Sequence, residues 1–464
     1  MGKKKVYYML GSILAMSMLC QGCQKNPKED YVVNKNEGAL EEGIKEKKKN
    51  IYETPATYED YFTNDAGDIR IEVNAGVKEA EGALPVVKVE PHEITVEEVK
   101  RWTEVLFEGK KAYEPKRELS KREIEKKILE YKKLAGDHEA LLKEYGSEED
   151  VQAMVDFYEE EIRNYEKMYQ KAPEEVEQIL CDWKFKPYDY YMEDAGLWEG
   201  NEEFESLKKT KELRALTEEL HGQTACVSAV NRNEKDYYMH SLGFYYTEEA
   251  FLRELPDKKI SMEEAIAIAE DLIRQLGIGD WTLQEKAHEF TETDSIQKLT
   301  YSPEYQNVPL FAWDEMEIDL KSEDLYAANY YYTRLEIDIR NGVVESVMLT
   351  SPLDTIKVEN ENVNTLPFEE VYQKFKNHVQ TKYTKSSFVE GEVPNEDMAM
   401  ELQIYKIEQG LFRIKEKGTD GEFLIVPAWR FQGKVKIDGE LWNEQVFGVI
   451  NAIDGSTIDV ALGY

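Results

Sequence analysis

The chain has 464 residues, 41% hydrophobic and 11% aromatic, enough for about two to four domains with substantial cores. Its formal net charge of −36 opposes nucleic acid and anionic lipid headgroups and reads first as an acidic, solvated surface. No Walker loop, dinucleotide fingerprint, G-x-S-x-G elbow or EF-hand loop occurs, so the chemistries those motifs support have no footing here.

Lys3, Lys4 and Lys5 precede Val6–Leu19, an uncharged apolar run of 14 residues. Crossing a bilayer takes roughly 20 residues. The run instead has the length of the apolar part of a secretory signal peptide. Gly22 then sits directly before Cys23. This layout resembles the lipobox of bacterial lipoproteins, in which the cysteine after a small residue is lipidated and becomes the mature N-terminus. The resemblance implies a signal peptide over residues 1–22, palmitate-type acyl chains on Cys23, and Leu19 and Cys20 in the apolar approach. Cys20 occupies a place where that family usually carries Leu. Several acyl chains on one cysteine make a stable anchor, so the expected location is the outer face of the cell membrane. Residues 1–22 hold three lysines and no acids, so their removal would take the net charge from −36 to −39. Of four cysteines, Cys181 and Cys226 remain. Outside the membrane they could pair as a disulfide or stand as two isolated thiols.

Residues 23–60 are polar and charged and read as a flexible tether. An N-terminal α+β region is expected over 61–258. In it, DIRIEVNAGV and LPVVKVEP alternate like strands. ITVEEVKRWTEVLF reads as a helix with Thr95 as N-cap and Glu97 and Glu98 in its first turn. Residues 115–171 form a helical hairpin: Ser120 and Glu123 make a capping box, and Gly146 and Ser147 make the turn. Ile124, Ile128, Tyr131 and Ala135 face Val151, Met154, Val155, Tyr158, Ile162 and Tyr165. Residues 223–248 suggest two strands around a polar turn at Asn231–Lys235.

The C-terminal part carries a weak repeat. Ser261 and Glu264 form another capping box, with Ala265, Ala269, Ile273 and Leu276 on one helix face. Strands follow and close in a hairpin at Asn341-Gly342. A second copy opens at TLPFEEVYQKF, with Pro367 at the helix start and Phe368, Val371 and Phe375 on one side. It closes at Asp454-Gly455. Helix starts at 261 and 365 lie 104 residues apart and hairpins at 341 and 454 lie 113 apart, a period that argues for duplication. With VPAWRFQG (426–433) and NAIDGSTID, the pattern resembles PepSY-type modules, placed at 259–352 and 353–464. The whole arrangement resembles an uncharacterised family of Gram-positive surface lipoproteins. That resemblance implies extracytoplasmic modules linked to protease inhibition, peptidase propeptides or envelope signalling, and it implies no catalytic residues. The first copy lacks Pro-Ala-Trp and has Asn-Gly in place of Asp-Gly. The expected fold class is α+β: a helical hairpin plus antiparallel sheets, with two PepSY-like helix-and-sheet modules at the C-terminus.

No catalytic constellation is legible. His92, His138, His221, His240, His288 and His378 are scattered, and His288-Glu289 lacks the second His of a zinc motif. Ser206 and Lys209 match S-x-x-K without its companion motifs. No metal or cofactor is expected. Tyrosines cluster at 188–192, 237–238, 245–246 and 329–332, where rings either fill strand faces or stack on sugars. Trp429 and Phe431, two apart, are expected to point into a sheet core. The functional expectation is a non-catalytic, membrane-anchored lipoprotein that binds a protein partner in the envelope. The alternative is a surface binder of glycan, peptide or wall polymer.

Overall fold

The computed structural model describes residues 39–46, 52–116, 118–138, 141–142, 146–191, 209–234, 237–247, 259–290, 295–312, 330–385, 398–415 and 421–459. The signal segment, Cys20, Cys23 and Ser206 lie outside the described residues. The fold is α+β, with six α-helices among the described residues and two sheets rich in antiparallel pairs. No described helix is long and apolar enough to cross a membrane.

The nine-stranded sheet is antiparallel throughout. Its path runs β10 (Val308–Pro309), β9 (Ser295–Tyr305), β11 (Arg334–Arg340), β12 (Val343–Thr350), β7 (Tyr237–Tyr246), β6 (Gln223–Glu234), β5 (Lys211–Leu220), β4 (Lys186–Pro187), with β8 (Trp281–Phe290) on β9. In β5 the alternation of Leu213, Ala215 and Thr217, all buried, makes a strand of a segment whose charged composition suits a helix. Two helices cover one face: α2 (Val96–Leu106) and α5 (Met262–Leu276). Trp102, Ala265, Ala269 and Leu276 pack there against Val227, Phe244, Leu299 and Ile337.

The eight-stranded sheet runs β1 (Thr57–Thr63), β2 (Ile69–Lys78), β14 (Met400–Lys415), β15 (Phe423–Ile437), β16 (Glu440–Asn451), β17 (Thr457–Ile458). To it are added β3 (Val86–Pro91), paired with β15, and β13 (Leu353–Asn360), paired with β3. The β2–β14 pair is parallel. The helix α6 (Phe368–Lys382) seals one face with Phe368, Val371, Tyr372 and Phe375. Phe375 stacks on Phe431 at 3.8 Å and 5°, and Trp429 is buried beside Phe368. Each such ring contributes about 1.5–3 kcal/mol by leaving water.

Three expectations change. First, the N-terminal region does not form a sheet of its own. Strands β1, β2 and β3 complete the sheet of the second repeat, and β7 pairs with β12 of the first. The expected boundary at 258/259 therefore runs through a continuous sheet. Second, the segment read as a tether holds structure: α1 (Ala39–Lys45) packs Leu40 and Ile44 against the core, and Asn360 Nδ2 donates to the carbonyls of Ile44 and Glu46. Strand β1 also begins inside it. Third, the hairpin expected at Asp454-Gly455 closes the second repeat, but not through a two-residue turn. Strands β16 and β17 pair only at Val449–Ile458 and Ile450–Thr457, and Asp454 Oδ1 accepts from Ser456 N and Oγ inside a wider loop. The tight turn of that sheet is Asp438-Gly439, at φ 52° and 85°. The expected hairpin at Asn341-Gly342 is present, with φ 51° and 84°, the left-handed pair a type I′ turn requires.

The helical hairpin is present as α3 (Lys121–Gly136) and α4 (Glu148–Tyr169). The Ser120–Glu123 capping box forms as read, and Ser147 caps α4. Leu134, Leu141, Val151 and Tyr158 make a small core of their own, so the pair is an arm on the body.

Candidate functional site at the joint between the sheets

The chain passes between the sheets along two neighbouring crossings. Residues 92–95 lead from β3 to α2, and Ser351-Pro352 leads from β12 to β13. His92 N donates to the Pro352 carbonyl at 2.9 Å, tying the crossings together.

The His92 ring braces them. Its Nδ1 lies 2.9 Å from Asp354 Oδ2 on β13, and its Nε2 lies 3.0 Å from both oxygens of Glu98 on α2. Carboxylates only accept, so both nitrogens donate and the ring is an imidazolium. The hydrogen bond that His92 donates to Glu98 outweighs burial and, with that to Asp354, raises the His92 pKa from 6.5 to about 9. Burial alone would raise the pKa of Glu98. The His92 contact and the Thr95 amide and hydroxyl reverse this and bring it down to about 2. Glu98 thus serves twice, as the capping-box acid of α2 and as the counter-ion of the joint.

Behind His92 lies a neutral layer. Asn231 Oδ1 accepts from Ile94 N at 2.9 Å, and Asn231 Nδ2 donates to Ile94 O at 2.8 Å. His240 Nδ1 is 2.9 Å from that same Asn231 oxygen and is therefore the protonated nitrogen. Burial, with the charged His92 nearby, lowers the His240 pKa to about 4. His240 Nε2 finds no partner among the described residues. The Ser351 amide donates to the His240 carbonyl, and Tyr330 OH donates to the Pro352 carbonyl at 2.7 Å.

Tyr330 leads into a second buried feature. The Arg413 guanidinium lies against the rings of Phe423, Tyr332 and Tyr330, 4.5, 4.9 and 5.3 Å from their centroids. It donates to the carbonyls of Tyr330 and Tyr331. Burial lowers its pKa to about 10. Ring faces and carbonyls offset part of the desolvation of this cation. Arg413 holds the 330–332 segment to the eight-stranded sheet, where Leu310 bridges Leu411.

Chemically, the joint is a brace. A charged imidazole accepts no proton near neutral pH, and its two nitrogens point to carboxylates on opposite sides instead of converging on one ion. Among the described residues no group of His, Cys, Asp and Glu could hold a metal ion. A Ser–His contact, missed in the sequence, joins Ser295 Oγ to His288 Nε2 at 3.2 Å. Ser295 is fully buried and also accepts from Gln297 Nε2 at 2.6 Å, so it is shut off from any substrate.

Of the residues singled out in the sequence, Cys181 and Cys226 are free, buried thiols. Burial raises both pKa values, that of Cys226 to about 12. His138 and His221 sit near Glu148 and Glu108 at the surface. His378 is half-buried, and burial lowers its pKa to about 4. Tyr246, Tyr330 and Tyr332 line cores, and Trp429 and Phe431 point inward as expected. The expected turn at Asn231–Lys235 starts too early. Strands β6 and β7 stay paired to Glu234–Tyr237, which puts Asn231 in the joint. A polar residue within a strand was the available signal.

No protein-family model matches the chain. No curated protein matches it either. Among solved structures, an uncharacterized protein from Eubacterium rectale ATCC 33656 aligns over 92% of this chain and 99% of its own, at 11% identity and a TM-score of 0.41. The Bacillus megaterium YpeB C-terminal domain aligns over 53% of this chain and 87% of its own, at 11% identity and a TM-score of 0.24. The chain is an α+β protein of two helix-backed sheets braced by an ion-paired histidine.

Proposed function

We propose that the protein is a lipid-anchored, non-catalytic component of the cell envelope that binds a protein partner through its C-terminal sheet. The supporting observation is the finger formed by β15 and β16. Residues 438–444 at its tip are exposed throughout, and they carry Leu441 and Trp442, 56% and 62% exposed. A large aromatic at the end of a rigid hairpin is the residue type that dominates protein interfaces. Cys23, through acyl chains, would hold the body at the outer face of the membrane.

Deleting 260–464 would strip strands from both sheets, so loss of binding in that variant would report unfolding only. The better test replaces Trp442 with a photo-crosslinking residue and irradiates native membranes. Repeated capture of one envelope protein, lost with Cys23→Ser, is the expected result. Capture of abundant neighbours alone, in both backgrounds, would overturn the reading. Tyr246, Tyr330 and Tyr332 face cores, which takes those rings away from a glycan surface.

A further inference from the structure

The net charge of −36 conceals a local reversal. The helix α3 carries six basic and three acidic residues, whereas its partner α4 carries eight acidic and two basic. On α3 the exposed positions are Arg122, Glu125, Lys126, Leu129, Lys132 and Lys133, plus the terminal Gly136. They recur at helical spacing and form one stripe along the outward face. Glu125 leans toward α4, accepting from Tyr169 OH at 2.6 Å, and Lys132 lies 3.8 Å from Glu166. In the middle of these charges stands Leu129, 68% exposed and, among the described residues, outside the arm's core.

We infer that the outward face of α3 is a docking surface for an anionic lipid bilayer. The charge pattern selects an anionic partner. Leu129 then selects between kinds of anion, because a phosphate polymer offers no apolar layer, whereas a bilayer buries a leucine beneath the headgroups. The acidic body does not prevent contact. Screening at physiological ionic strength confines each charge to about 8 Å. The arm is roughly 33 Å long by the rise of α4, several screening lengths, so the charge near the stripe is that of the arm: the cations of α3, offset where α4 reaches them at Lys132–Glu166. The acidic α4 side is repelled by the same surface, which fixes the face the arm presents. The inference rests on the envelope placement proposed above and would orient the anchored body on its membrane.

The test uses the mature chain with Cys23→Ser, so that no acyl chain contributes. Sedimentation with phosphatidylcholine vesicles is compared with sedimentation with vesicles that also contain phosphatidylglycerol. Each cation near an anionic leaflet changes partition roughly fivefold. The expected result is at least a tenfold preference for the anionic vesicles, lost in high salt and in Lys126→Glu/Lys133→Glu. Leu129→Ser should weaken binding about tenfold with unchanged circular dichroism. Equal binding to both vesicles, or none, overturns the inference. So does binding to inorganic polyphosphate without binding to vesicles. Lipidation is read separately, from the mass of the native N-terminal peptide, so failure of the anchor and failure of the stripe are distinguishable.

Discussion

Replacing His92 by glutamine removes the cation of the joint and keeps a side chain of similar reach. The His92 pKa rises from 6.5 to about 9 in the fold, which would be about 3 kcal/mol if all of it acted on the folding equilibrium. Asp354 is 57% exposed, so solvent screens part of the interaction, and the expected loss is about 1–2 kcal/mol. Because the folded pKa of His92 is the higher one, its contribution is complete below 6.5 and disappears as pH rises through about 9. Glu98 has the lower folded pKa, so its side of the pair is complete above 4.5 and fades as pH falls through about 2. Urea unfolding of the native chain and His92→Gln at pH 6, 8 and 10 measures the difference. It should be largest at pH 6 and close to zero at pH 10. An equal difference at pH 6 and pH 10 would refute the ion-pair account and leave His92 a packing residue.

Other outcomes follow from the cores. Gly433→Ala should cost about 1–3 kcal/mol in the same urea assay, because a Cβ there would collide with the Gln403 carbonyl oxygen and lie 2.8 Å from Phe447. Phe375→Ala opens a cavity under α6 and should cost about 3–5 kcal/mol, with amide exchange rising first along β15. In the Cys23→Ser mature chain, Cys181 and Cys226 should resist a thiol reagent until denaturant is added and then both react. Native reactivity of either would contradict their burial.

Local order was legible wherever neighbouring residues decide it. Thr95, Ser120 and Ser261 cap helices as read, because a capping box is complete within four residues. Asn341-Gly342 turns as read, because its φ angles depend on those two residues alone. The inward set of α6 and the Trp429–Phe431 alternation follow from periods of 3.6 and 2. Asp438-Gly439 carries the same two-residue signal and makes the tight turn between β15 and β16. At Asp454-Gly455 the loop is set by the Asp454 side chain binding Ser456 and by the short reach of β17.

What the sequence determined by itself was therefore local: capped helices, the hairpin arm, the alternating strands and the α+β class. Tertiary structure decided which strands meet. Pairing β2 with β14 joins residues 69–78 to 400–408, and no periodicity records a partner so far along the chain. The same distance hid the joint. His92 and Glu98, Asn231 and His240, and Asp354 come from three distant stretches, and each is an ordinary polar residue until the sheets close around it. Net charge misled in the other direction: a sum over the chain erases the basic face of α3, which exists only because folding turns its lysines outward together and sets the acidic α4 on the opposite side. Hydrophobic period and turn chemistry act over a few residues, while ion pairs, sheet order and surface charge act through space.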